Sequence, residues 1–326
     1  MTLIPIIFDT DIGTDVDDAL ALALAVNSPE LNVLAVTTVD GDVQLRGRIA
    51  RKLLSLLGRT DIPVAAGCRR RFDGKEFAPY GVIGDHGLIE TDQDGLPLLE
   101  EHAVDLMTRI LLASSTKVTL VLVGPVTNAA EALKRYPAIK EKIERFVIMG
   151  GSIRPNDLLK KEGWAKWVPG LFKASMEHNL NVDQAAANLI LRSGIPVLLV
   201  PAEMTFRTWL TEAERARLKE SQAPQGEVLN RMCDEFLAMF SKIMAKMPVD
   251  KKFAQLYLHD PLTVTAVFKP DLITTEEFHI VPGRILGVFR TLPRKNLPPN
   301  AKVMTDFDIN AFKQLFADRV FGVTLK

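Results

Sequence analysis

Over residues 3–201, short apolar runs alternate with helix-length stretches, and this alternation constrains the fold more than any other feature. LIPIIFD (3–9), LNVLAVTTV (31–39), IPVAAG (62–67), KVTLVLVG (117–124), RFVIMGG (145–151) and IPVLLVP (195–201) read as strands. DDALALALAVNS (17–28), LRGRIARKLLSLLG (45–58), EEHAVDLMTRILLASS (100–115), PVTNAAEALKRYP (125–137) and VDQAAANLILRSG (182–194) read as helices. Continuous apolar strands are covered on both faces, and helices between them make the crossovers parallel. The predicted fold class is α/β, an open, mostly parallel, Rossmann-like sheet with helices on both faces. KVMTDFDINAFKQLFADRVFG (302–322) adds a final strand and helix. Residues 68–98, 152–176 and 204–259 interrupt the rhythm, the last as a mostly helical insertion. Loops of that length inside a compact domain usually carry function. There is no internal repeat or linker, so the 326 residues read as one domain, 1–326.

Charge narrows the function. Lys+Arg and Asp+Glu both number 40, which leaves no basic footprint for nucleic acid or an anionic membrane. A small, uncharged or weakly charged substrate fits that balance. Cys68 and Cys233 stand alone, offering neither a disulfide framework nor a metal-binding pair. The apolar start stops at Asp9 and lacks a basic leader, so it is not read as a signal peptide. No run reaches the ~18 apolar residues that span a bilayer. The expectation is a soluble, cytoplasmic protein.

FDTDIGTDVDDAL (8–20) places Asp9, Asp11, Asp15, Asp17 and Asp18 behind the first strand. In open α/β sheets, ligands bind at that carboxyl edge. A helix N-terminus accommodates one or two acids, which accounts for Asp17 and Asp18 alone. The whole set repels itself unless a cation intervenes, and oxygen donors suit a hard cation such as Ca²⁺ or Mg²⁺. An EF-hand is excluded: Leu20 stands where its closing Glu belongs, and a strand rather than a helix precedes the loop. A Mg²⁺-dependent phosphohydrolase of haloacid dehalogenase type shares Asp9 and Asp11, but Gly13 departs from its Thr/Val position.

D-T-D-x-G followed by D-D-A-L-A-L resembles the signature of the nucleoside hydrolases, the inosine-uridine-preferring N-ribohydrolases. TTVDGD (37–42), LVGPVTNAAEAL (122–133), VIMGGS (147–152), EHNLNVDQAAA (177–187) and LHDPL (258–262) resemble that family's later motifs, in its order. The resemblance implies Ca²⁺ held by Asp11, Asp18, the Val123 carbonyl and Asp260. It implies Asp11 as general base and His259 as proton donor to the departing base. Asp17, Asp42, Glu177 and Asn179 would contact the sugar, and His86 would line the site. The partner is then a small-molecule ribonucleoside, with no nucleic acid or membrane, and the assembly a homodimer or homotetramer. The loop is two residues longer than the family's shorter form and adds Asp15. Asp42, Leu171 and Glu203 also depart from common family residues.

The chemistry agrees. N-glycosidic cleavage builds oxocarbenium character on the sugar, which a carboxylate field stabilises. A metal lowers the pKa of water, a carboxylate takes its proton, and a histidine serves the leaving group. Trp164 and Trp167 are candidates for base stacking or for a lid. His102, His178 and His279 carry no signal beyond position, and His178 is read as facing away from the Glu177 and Asn179 side. Arg46, Arg48, Arg51 and Lys52 read as the solvated face of an amphipathic helix. A non-catalytic nucleoside- or ribose-binding protein is the remaining alternative.

Overall fold

The structure is a computed structural model and describes residues 3–77, 84, 88, 97–153, 177–246, 255–285, 288–294 and 296–325. The strands are β1 (Ile4–Thr10), β2 (Leu31–Thr38), β3 (Val64–Ala66), β4 (Val118–Leu122), β5 (Ile143–Met149), β6 (Val197–Val200), β7 (Ile273–Ile285), β8 (Val288–Arg294) and β9 (Ala301–Phe307). They form one sheet in the order β3-β2-β1-β4-β5-β6-β9-β7-β8. Pairing is parallel from β3 across to β9. β7 then runs antiparallel to both β9 and β8. The expected open, mostly parallel α/β architecture is therefore present, and the antiparallel pairings of β7 make the sheet mixed.

The helices are α1 (Asp17–Asn27), α2 (Val43–Leu56), α3 (Ala103–Ala113), α4 (Thr127–Arg135), α5 (Asn179–Val182), α6 (Gln184–Arg192), α7 (Ala202–Thr205), α8 (Glu212–Leu218), α9 (Gly226–Met244), α10 (His259–Phe268) and α11 (Ile309–Phe321). Side chains alternate across a strand, so β1 sends Ile6 and Phe8 into one core and Ile7 into the other. The first core is filled by Leu20 and Leu24 of α1, Ile49 and Leu53 of α2, Leu262 of α10 and Phe316 of α11. The second takes Leu106 and Met107 of α3, Leu133 of α4 and Ile190 of α6. Helix α1 is buried from Asp17 through Ala25, which is why its sequence is apolar all round rather than striped. Among the described residues, no helix is long and apolar enough to cross a membrane.

Two local features differ from the sequence reading. The helix expected over 182–194 begins two residues later, as α6, and a separate helical turn, α5, precedes it across Asp183. That carboxylate accepts the Ala186 N–H at 3.2 Å and caps α6. It also accepts the Phe72 N–H at 2.6 Å and the Thr127 hydroxyl at 2.7 Å, so the break ties three segments together. The β7–β8 hairpin had no counterpart in the sequence reading, since ITTEEFHIVPGRI has no continuous apolar run.

Strand order positions the site. β1 lies between β2 and β4, so the chain crosses over to either side of it, and in open α/β sheets ligands bind outside the carboxyl ends of strands so placed. The acidic loop follows β1, and Val123–Gly124 follows β4.

Candidate active site and metal centre

The acidic loop turns at Gly13, whose φ of +107° is open to glycine and strained for other residues. α1 then starts with Asp17 and Asp18 in its first turn, but the N-cap position is Val16, so neither aspartate stands there. Capping therefore does not account for the pair. One oxygen each of Asp17, Asp18 and Asp260 lies within 4.8 Å of the others. Asp260, from the first turn of α10, donates its N–H to Asp17 Oδ2 at 3.3 Å. The Thr10 hydroxyl donates to Asp18 Oδ1. Burial pushes all three carboxyls well above their ordinary range, and repulsion within the cluster, from Asp11 and Asp15 included, adds to it. Burial together with Asp11 raises Asp15 to about 6. A buried, oxygen-only, mutually repelling donor set fits a hard divalent cation.

Asp11 groups instead with Asp40 and His178, one ligand atom of each lying within 4.8 Å of the others. Burial raises the Asp11 carboxyl, while Arg46 and His178 pull it back down. Close backbone approach makes room for it. A Cβ on Gly124 would sit 2.8 Å from Asp11 Oδ1 and 2.9 Å from its backbone nitrogen. The Val123 carbonyl accepts from Asn179 Nδ2 at 2.6 Å, which leaves its second lone pair. Asn179 also donates to the Met149 carbonyl at 3.1 Å. Glu177 accepts the N–H groups of Leu180 and Asn181 at 2.8 and 3.1 Å, anchoring α5. Burial nonetheless raises its carboxyl.

His259 opens α10. Its Nδ1 lies 2.6 Å from the Thr205 hydroxyl, and its ring meets Phe206 edge-on at 4.8 Å and stacks on Tyr257 at 5.3 Å. Burial pushes the imidazole down to about 3, so it is neutral near pH 7. Beneath the loop, Asp9 is fully buried; its Oδ1 accepts from the Thr37 hydroxyl at 2.6 Å and from Asn128 Nδ2 at 2.8 Å. Burial raises that carboxyl to about 7. Such a group is inaccessible as a phosphoryl-accepting nucleophile. Glu203 accepts the Ile153 N–H at 2.7 Å.

Several expectations change. Asp42 is exposed and caps α2 by accepting the Leu45 N–H at 3.1 Å, while Asp40, two residues earlier, faces the site. Arg46 is not on a solvated face. It is 2 % exposed and donates to the Asp40 carbonyl (2.7 Å), the Asp11 and Ile12 carbonyls and the Thr14 hydroxyl. The acidic loop attracts a guanidinium that helical periodicity assigns to solvent. His178 is not turned away: α5 begins directly after it, so strand alternation does not apply, and Nε2 lies 3.5 Å from Asp40 Oδ2. Burial disfavours its imidazolium, but Asp40 and Asp11 outweigh that and raise its pKa. His86, Trp164, Trp167 and Leu171 lie outside the described residues.

A buried carboxylate cluster at the switch point of a parallel sheet, flanked by hydrogen-bonding Glu, Asn and His side chains, is the kind of site at which an α/β enzyme takes a polar small molecule. The sequence profile described as inosine-uridine preferring nucleoside hydrolase matches residues 6–314, and the chain belongs to that family of N-glycosyl hydrolases. It is 34% identical over 341 residues to the pyrimidine-specific ribonucleoside hydrolase RihA of Enterobacter sp. (strain 638), covering 99% of both chains. It is 33% identical over 336 residues to the RihA of Citrobacter koseri, covering 97% of this chain and 98% of that one. Among solved structures, it resembles a plant nucleoside hydrolase, PpNRh1, with a TM-score of 0.82, 25% identity and coverage of 98% and 99%. It also resembles a purine-preferring ribonucleoside hydrolase from Gardnerella vaginalis, with a TM-score of 0.81, 26% identity and 98% coverage of both. Family membership displaces the phosphohydrolase reading.

Proposed function

We propose that the chain hydrolyses the N-glycosidic bond of ribonucleosides to ribose and free base, at a Ca²⁺ site formed by Asp11, Asp18, Asp260 and the Val123 carbonyl. The buried convergence of Asp18 and Asp260 with Asp17, near enough to Asp11 for their charges to repel, carries this reading. The ion would offset the carboxylate charge and lower the pKa of a water molecule. Asp11 takes the proton from the attacking water. Asp17, Glu177 and Asn179 hold the sugar hydroxyls. The remaining negative field favours positive charge developing on the sugar ring. His259 serves the leaving base. The imidazole is neutral near pH 7, so it would serve the base through a hydrogen bond from a ring N–H rather than as a preformed imidazolium.

The relatives named pyrimidine-specific support uridine and cytidine as first substrates. We read the chain as a single domain, with 204–259 as a helical insertion, acting in the cytoplasm in nucleoside salvage as a homodimer or homotetramer. The test is a panel of inosine, adenosine, guanosine, uridine, cytidine, one deoxynucleoside and one nucleotide, read by reducing sugar and base chromatography. Ribose release, greatest from pyrimidine ribonucleosides, is expected. Phosphate release from the nucleotide alone overturns the reading, and nucleoside binding without turnover replaces it with a binding protein.

A further inference from the structure

We propose that Asp40 is a positioning residue: its carboxylate, bridging Arg46 and His178, fixes the imidazole beside Asp11 for the hydrolysis proposed above. Among the described residues, Asp40 is the one non-glycine with positive φ, at +74°. Its backbone is pinned at both ends, the N–H donating to the Cys68 carbonyl at 3.0 Å and the carbonyl accepting from Arg46 Nε at 2.7 Å. Its side chain is 9% exposed, and Oδ2 stands 3.7 Å from Arg46 Nη2 and 3.5 Å from His178 Nε2. A single carboxylate oxygen therefore faces both the guanidinium and the imidazole. Arg46 in turn holds the acidic loop at the Asp11 and Ile12 carbonyls and the Thr14 hydroxyl. The guanidinium ties the turn after β2 to the loop after β1, and the carboxylate ties that turn to the segment entering α5. Asp11 is where these connections converge.

This group contains none of Asp17, Asp18 and Asp260, so it acts on Asp11 from outside that trio. A purely structural turn would favour glycine at position 40, as at Gly41 with φ +63°. A buried, charged side chain kept in a left-handed backbone beside the proposed base points to function.

The test compares D40G, which relaxes the backbone, with D40N, which tolerates the left-handed region but removes the charge. D40G relieves the left-handed backbone but removes the carboxylate that buried Arg46 and His178 face, so it is expected to unfold below the parent temperature while staying folded at the assay temperature. Its kcat on a ribonucleoside should fall about tenfold to 10²-fold, with KM within about threefold, because Asp11 and its partner shift by a fraction of an ångström. Its His178 imidazole resonances, read by ¹⁵N–¹H NMR, should shift away from the parent's. D40N should lose kcat in the same direction. H178Q should retain more activity than H178A, because the amide still reaches Asp40. A D40G kcat within threefold of the parent, or unchanged His178 resonances, overturns the proposal. If D40G does not fold, D40N and the His178 pair decide it by the same split. A parent inactive on every nucleoside sinks the hydrolase reading instead, and the His178 spectrum then decides the positioning role by itself.

Discussion

Gly124→Ala tests whether close backbone approach sets the position of Asp11. The φ of Gly124 is not in the left-handed region, so alanine meets no conformational bar. The obstacle is space. The new Cβ would stand 2.8 Å from Asp11 Oδ1, 2.9 Å from Asp11 N and 3.0 Å from Val39 Cγ1. Ordinary contact begins near ~3.5 Å, so about 0.5 Å must open. The carboxylate is able to rotate, but the backbone nitrogen is not. Arg46 grips the Asp11 carbonyl, and the Val123 N–H holds the Asp9 carbonyl at 2.9 Å. The loop must therefore move as a unit. Overpacking of this kind costs about 1–3 kcal/mol. A shift of half an ångström at a base costs roughly tenfold or more in kcat. The assay is kcat by reducing-sugar release, with thermal unfolding in parallel. Gly58→Ala is the control: its φ of +69° makes alanine cost about 1 kcal/mol, with nothing within 4 Å and no link to the site. A Gly124→Ala enzyme with kcat within threefold of the parent, or one that loses activity only as Gly58→Ala does, would refute the reasoning.

In the chelated protein, Asp9 at about 7 and Asp15 at about 6 exceed the unfolded value of 3.8, so the native state binds more protons between those limits. That contribution is complete below the unfolded value and is lost as pH rises through 6 to 7, with Asp9 alone worth about 4 kcal/mol. Chelated protein should therefore unfold at a lower temperature at pH 8 than at pH 5.5, and the opposite slope would contradict the burial argument. Asn128→Ala should destabilise by about 3 kcal/mol, because it strands polar groups of Asp9, Thr38 and Cys68 in a fully buried site. Urea unfolding measures it, and a loss below about 0.5 kcal/mol would show that water replaces the amide.

Much of this was legible in the sequence because the parallel strands are buried on both faces and so appear as unbroken apolar runs. β7 and β8 were not, since a sheet-edge hairpin tolerates Glu, His, Pro and Gly. The acidic loop was conspicuous because like charges that close have few explanations. Its supporting partners were not. Arg46 reads as one of several basic residues on α2, and its target lies 35 residues away in sequence. Asp40 and Asp42 share one motif, and only the turn between them decides which faces Asp11. His178 was misjudged because alternation was applied to a segment that becomes helical at the next residue. Local periodicity carries the elements, while tertiary hydrogen bonds assign the roles.

The measurement that bears most directly on the central account is uridine turnover by metal-stripped protein titrated with Ca²⁺, following ribose and uracil together. The account predicts no turnover after chelation, and equimolar ribose and uracil restored by Ca²⁺ in the parent but not in Asp18→Asn or Asp260→Asn. Undiminished turnover after complete metal removal, or full restoration of both variants, would contradict it.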